Sequence, residues 1–447
     1  MASAIVPHLD TTACGPRIYP PVHINNSLAP ARQHEVGKIA SWLFSPGPAT
    51  SCDTATLDNN TTTSLLATPL KMLTTLVILA TTFLSCSAVV IPEEPGLNGP
   101  RRIGKRCTGT IKSLADVAAA QQCTTINIGG FTVPAGQTFT LAAPDGAVVS
   151  LTGALTFGFQ MILLSEPFLR LTSSTIQVNG NGHELVGQGE LYWDGQGGNG
   201  GVTKPAPMLR INNGGSFSNI KIKNSPARAI SVGGNSLTVS GINIDNSDGD
   251  APNSKSGSSA AGHNTDGFDV SAHDVTLSGN TIKNQDDCLA INRGTNIVFT
   301  GNTCSGGHGI SIGSVNSNTT VSGVQITGNT VTNSANGLRI KTIATATGSL
   351  VSNVVYSNNK LSSITQFGVI IDQSYPSTLG TPGTGVVISG VSFSGSNTIA
   401  VGSSAKRVSV NCGSTSSCTG KWDFSGLTVT GGSAGTIKNA PVSGGSF

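Results

Sequence analysis

Charged residues make up only 11% of the 447 positions and aromatics only 5%. No basic cluster is interleaved with aromatics, so the usual nucleic-acid surface is excluded, and a formal net charge of +3 is too small to say more. Long stretches of helical periodicity are nearly absent after about Cys107, which excludes a helix bundle or an alternating α/β layout. None of the nine cysteines forms a C-x-x-C pair, so there is no zinc signature. What fills the chain instead is Gly (57 residues), Ser, Thr, Asn and β-branched residues, the composition of many short strands joined by tight turns.

A strongly apolar run without charge, residues 73–91 (LTTLVILATTFLSCSAVVI), stands near the front. Its Leu76–Leu84 core has signal-peptide length, and the small residues Ser85-Cys86-Ser87-Ala88 allow cleavage after Ala88. A signal anchor is the alternative. With Met72 as the start, residues 72–88 are a signal peptide. Residues 1–71, rich in Pro, Thr and Ser, are then an unstructured extension or an artefact of the assigned start. Residues 89–106 end in Lys105-Arg106, a dibasic pair that reads as a propeptide cleavage site or an ordinary charged linker. The body is 107–447. Its six cysteines pair as near neighbours, Cys107 with Cys123, Cys288 with Cys304 and Cys412 with Cys418, in an oxidising compartment. Asn318-Thr319-Thr320 is a glycosylation sequon consistent with secretion.

The body repeats itself. Ser278-Gly279-Asn280-Thr281-Ile282, Thr300-Gly301-Asn302-Thr303-Cys304 and Thr327-Gly328-Asn329-Thr330-Val331 are near copies, with a more distant one at Ser357–Leu361. Between them run short strands with alternating apolar residues. Units this short cannot bury their own apolar faces and must stack on one another. The expected fold is therefore all-β: a right-handed parallel β-helix of about ten coils. Ser113-Leu114-Ala115-Asp116 reads as a capping box that starts a short N-terminal capping helix over the first coil.

Asp266, Asp287 and His308 recur at intervals of 21 residues, each just before an apolar run. On stacked coils this spacing predicts one column about 4.8 Å per step. Asp286 stands beside Asp287, and Arg339 and Lys341, alternating with Ile340, share one strand face. Crowded carboxylates cannot all ionise easily, which suits acid and base roles in glycoside hydrolysis. Each residue taken alone also fits a turn or a solvated pair, so their common phase is what points to catalysis.

NTDGFD (264–269), QDDC (285–288), GHGISIG (307–313) and RIK (339–341) together resemble the fungal polygalacturonases, a pectin-cleaving glycoside hydrolase family, across about residues 107–447. The resemblance implies a secreted, monomeric enzyme acting on pectin or polygalacturonate, with no cofactor or metal, no nucleic acid and no membrane in the mature form. It implies that Asp286 is the general acid and that Asp266 and Asp287 hold and activate water. By the same resemblance His308 tunes the acid, Arg339 and Lys341 bind galacturonate on the leaving-group side, Tyr375 contacts sugar and Asn264 supports the cleft. It also implies inversion, whereas carboxylates about 5 Å apart would suggest retention. Endo cleavage of α-1,4-galacturonosyl bonds is expected. The alternatives are exo cleavage, rhamnogalacturonan hydrolysis, a calcium-dependent pectate-lyase-like β-helix and a non-catalytic wall binder. Two departures stand out. The cysteine pair usual near the family's C-terminus is missing, which predicts a looser tail. The loop 247–262 is long and expected beside the cleft.

Overall fold

A computed structural model describes residues 103–160 and 166–447. The predicted extension 1–71 and signal peptide 72–88, and all of the predicted propeptide before Ile103, lie outside the described residues. Lys105 and Arg106 are exposed but already open the first strand, Lys105–Ile111, where Lys105 pairs with Cys123.

The described chain is a parallel β-helix. Three strand ladders run its length, and every strand pairing in them is parallel. The ladder that carries the site begins at Phe139–Leu141 and passes through Leu209–Ile211, Phe268–Ser271, Gly309–Val315 and Phe367–Tyr375 to Ile437–Lys438. Alternation decides which side chains point inward. Val270, Ile291, Ile312, Ile340 and Ile371 stack in register and are almost fully buried. Each such side chain contributes about 1.5–3 kcal/mol relative to exposure.

The repeated asparagines form a second internal column at a corner. Asn280 Nδ2 donates to Asn302 Oδ1 at 2.9 Å, Asn302 to Asn329 at 3.0 Å, Asn329 to Asn359 at 3.0 Å and Asn359 to Asn397 at 2.9 Å. Each also accepts a backbone N–H from the coil before it, so buried corner amides that a sheet would leave unpaired are satisfied. That requirement explains the near-identical repeats.

All three expected disulfides are formed. Two expectations need correction. The expected short N-terminal helix is present, a 3₁₀ turn Leu114–Asp116 running into one helical turn Val117–Ala120, but the expected capping box is not. Ser113 does not cap it in the usual sense; its hydroxyl donates to Asp116, which also accepts the Lys112 N–H. The C-terminal tail is not loose. Ile437–Lys438 pairs with Val410–Asn411, Ser446 exchanges backbone bonds with Leu427 and Val429, and Phe447 packs near Phe424, so backbone pairing does the work of the missing disulfide. Among the described residues no helix is long and apolar enough to cross a membrane.

Candidate active site

The ladder that begins at Phe139–Leu141 presents a cleft of about 670 Å³, and every residue singled out from the sequence motifs lines it: Asn264, Asp266, Asp286, Asp287, His308, Arg339, Lys341 and Tyr375. Local hydrogen bonding sets the acids in place. Buried Asn284 donates to the carbonyls of Thr265, Asp286 and Asp287, while Thr265 and Gln285 bond reciprocally across adjacent coils. From inside, the Cys288–Cys304 disulfide ties the acid-bearing strand to the next coil.

The predicted column is displaced by one residue. Asp287 aligns with Gly309 but Leu289 aligns with Ile310, so a bulge absorbs one position. His308 consequently sits against Asp286 and not Asp287: its amide donates to the Asp286 carbonyl at 2.9 Å, and its Nδ1 contacts Asp286 Oδ1 at 2.9 Å. Both flanking glycines have positive φ, and a Cβ on Gly307 or Gly309 would collide with the Asp286 or Asn336 carbonyl. The G-H-G pattern is thus a backbone requirement.

The two neighbouring acids have different surroundings. Asp286 Oδ2 accepts Asn264 Nδ2 at 2.9 Å, and Asp287 N–H donates to Asp286 Oδ1 at 2.7 Å. Asp287 is almost fully buried; Ser311 Oγ and Lys341 Nζ each donate to it at 2.6 Å. Lys341 thus compensates the charge of Asp287 while still lining the cleft, 5.3 Å from the Tyr375 ring centre. Arg339 is different. Among the described residues it forms no ion pair, its buried Nε has no hydrogen-bond partner, and its guanidinium lies 5.8 Å from the Tyr375 ring centre. Asp266 makes no side-chain hydrogen bond to another described residue.

These surroundings separate the acids electrostatically. Burial and the charges of Asp286, Asp269 and Asp287 push Asp266 well above the usual carboxylate range. Burial pushes Asp286 up too, but the His308 hydrogen bond and the His308 and Lys341 charges outweigh it and hold Asp286 at about 2. The bond to Asp286 raises His308 against the opposing effect of burial. One ligand atom each from Asp286, Asp287 and His308 lie within 4.8 Å, a grouping that could hold a cation. The Asn264, Ser311, Lys341 and His308 contacts already use those oxygens and the ring nitrogen, which suits proton chemistry better.

Residues 123–445 match the family model of Glycosyl hydrolases family 28. The chain belongs to glycosyl hydrolase family 28. This family 28 hydrolase is 46% identical over 333 residues to the Endo-polygalacturonase of Sclerotinia sclerotiorum, covering 72% of this chain and 83% of the relative. Its fold matches Endopolygalacturonase I from Stereum purpureum, solved with two galacturonate, at a TM-score of 0.72 and 48% identity, over 76% of this chain and 99% of that one. The polygalacturonase of Erwinia carotovora shares the fold at a TM-score of 0.53 and 20% identity, covering 77% and 98% of the two chains.

Sequence reasoning missed three parts of the family 28 cleft. Asp269 faces it in register with Ala290, Ser311 and Arg339, and burial pushes its carboxyl to about 6, with Arg228 pulling down and Asp287 and Asp286 pushing up. Its signal was visible inside NTDGFD, as the outward residue between inward Phe268 and Val270. Arg228 pairs with it at 3.3 Å. The third part is a glycine-rich loop, 195–203, closed at its base by a buried ion pair. There Lys204 Nζ donates to Asp194 Oδ1 at 2.7 Å and Asp194 Oδ2 accepts the Val202 N–H. The loop's Gly198 N–H donates to Asn264 Oδ1 at 3.0 Å, so it fixes the amide that holds Asp286. Asn264 is accordingly a positioning residue for the acid. Residues 247–262 are not among those lining the cleft; they bond to the chain leading into the glycine-rich loop, with Asn253 donating to the Trp193 carbonyl, Lys255 to the Leu191 carbonyl and the Gly195 N–H donating to the Ala261 carbonyl.

Proposed function

We propose that the chain is a secreted, endo-acting polygalacturonase that cleaves α-1,4-galacturonosyl bonds with inversion. The observation that carries this reading is the pairing of a crowded acid cluster with Arg339, a cation that the described residues leave without an anion. Buried ion pairs are normally completed, so an unmatched guanidinium in a cleft suits an anionic sugar. The names of the family 28 relatives support the same substrate and endo action. Secretion rests on the 73–91 segment, the three disulfides and the exposed Asn318 sequon.

In the proposed reaction the polymer lies along the cleft with one carboxylate against Arg339 and its ring near Tyr375. Asp286 protonates the glycosidic oxygen, and the electrons of the breaking C–O bond pass to that oxygen. A water between Asp266 and Asp287 attacks the anomeric carbon and gives its proton to a carboxylate. In the free cleft Asp286 is a carboxylate, so its proton arrives through the 2.9 Å contact with His308. Asp266 must shed its own proton before it can accept one from water.

The raised Asp266 favours a second assignment, in which Asp266 is the acid. An aryl galacturonide with a good leaving group separates the two, because it needs no protonation. It should rescue Asp286→Asn and not Asp266→Asn; the reverse would exchange the roles. The substrate itself is tested with polygalacturonate in the absence of metal. Viscosity should fall ahead of reducing ends, and NMR should show the inverted anomer first. Monomer alone from the outset would overturn endo action, and unsaturated products absorbing near 235 nm would mean elimination.

A further inference from the structure

Arg228 is a cation that this reaction leaves unused. It sits in the turn between the strands Lys221–Lys223 and Ile230–Val232, lines the cleft, and keeps 47% of its side chain exposed. Its Nε approaches Asp269 Oδ2 at 3.3 Å, and among the described residues none of its donors makes a hydrogen bond. The pair engages the guanidinium at Nε, and among the described residues both terminal amino groups are left without a hydrogen-bond partner.

The strand register locates it relative to Arg339. Ser231, Asp269, Ala290, Ser311 and Arg339 lie side by side on successive coils. The coil of Arg228 is therefore four steps from that of Arg339, roughly 19 Å at about 4.8 Å per step. Asp266, Asp286, Asp287 and His308 occupy the steps between. Ala290 and Ser311, both short, keep the floor between the two cations low. A polymer crossing the acids along the helix axis thus meets a guanidinium at each end.

We propose that Arg228, oriented by Asp269, binds the carboxylate of a galacturonate on the side of the cut bond opposite Arg339. The inference rests on the polygalacturonase reading above. A planar guanidinium with two unpartnered amino groups matches a carboxylate in bidentate fashion, and a methyl ester removes the charge that completes the match.

The test uses the full-length protein, Arg228→Gln and Arg228→Lys, on polygalacturonate and on the same polymer highly methyl-esterified. Losing a charge-assisted contact should raise KM for polygalacturonate about tenfold in Arg228→Gln. The value of kcat should stay near wild type, and the esterified polymer should show little change. Arg228→Lys keeps a point charge and should recover part of the KM. It also supplies the readout if thermal melting shows that the Gln variant does not fold. An unchanged KM on polygalacturonate would overturn the proposal. So would an equal loss on both polymers with a displaced pH profile, because Arg228 would then act only through Asp269. Failure of the wild type to release reducing ends from polygalacturonate would instead refute the substrate reading itself.

Discussion

Replacing His308 by Ala should weaken the protein in a pH-dependent way set by its contact with Asp286. The lowering of Asp286 from 3.8 to about 2 corresponds to about 2 kcal/mol of differential stabilisation. Because the Lys341 charge and the Asp287 N–H share in that lowering and the His308 side chain is 37% exposed to screening solvent, the part owed to His308 is about 1 kcal/mol. The sign follows from each partner's titration. Asp286 is depressed in the folded state, so its share is present above the unfolded carboxylate value near 4 and is lost as pH falls through about 2. His308 is raised, so its share is complete below the unfolded imidazole value near 6.5 and is lost as pH rises through the higher folded value. The coupling should therefore be largest at about pH 5 and fade on both sides. A double-mutant cycle of wild type, His308→Ala, Asp286→Asn and the double variant, followed by thermal melting at about pH 2, 5 and 9, measures it. A coupling that stays constant across that range, or vanishes at about pH 5, would refute the assignment of the Asp286 shift to His308.

Lys341→Met removes the ammonium from almost fully buried Asp287 and should cost about 3–5 kcal/mol, with partial recovery in Lys341→Met/Asp287→Asn, read by thermal melting. Lys204→Met opens the base of the glycine-rich loop and strands Asp194. Activity should fall more than melting temperature alone explains, because Gly198 then releases Asn264 and Asn264 releases Asp286; limited proteolysis should cut within 195–203. Asn329→Ala should destabilise by at least about 3 kcal/mol, since it leaves Asn302 and Asn359 each short of a buried partner. Hydrogen exchange should then rise first in the coils on either side.

The sequence revealed most where a requirement repeats. From Asn280 onward successive coils impose the same corner, so Asn280, Asn302 and Asn329 were legible as near copies. The candidate catalytic motifs were legible because each precedes an apolar run at similar phase. Position along the chain was a poorer guide where the chain gains a residue: an even spacing of 21 placed His308 over Asp287, and the bulge between Asp287 and Leu289 moved it to Asp286. Contacts made from far away left no local mark. Asp194 and Lys204 look like ordinary loop charges until the fold buries them together, and Arg228 gains meaning only from Asp269 on the following coil. The tail was misjudged because backbone pairing, unlike a cysteine, has no distinctive residue.

The asparagine column separates two things that most folds keep coupled, chain length and geometry. Its successive rungs are 22, 27, 30 and 38 residues apart, yet each closes on the next at 2.9–3.0 Å. The column acts as an index: a coil can lengthen at one side, and the following coil still returns to the same angular position. Cleft walls can therefore be enlarged, trimmed or exchanged between relatives without re-aiming the acids. Evolution of substrate preference in such a scaffold is a matter of editing loops against a fixed ruler.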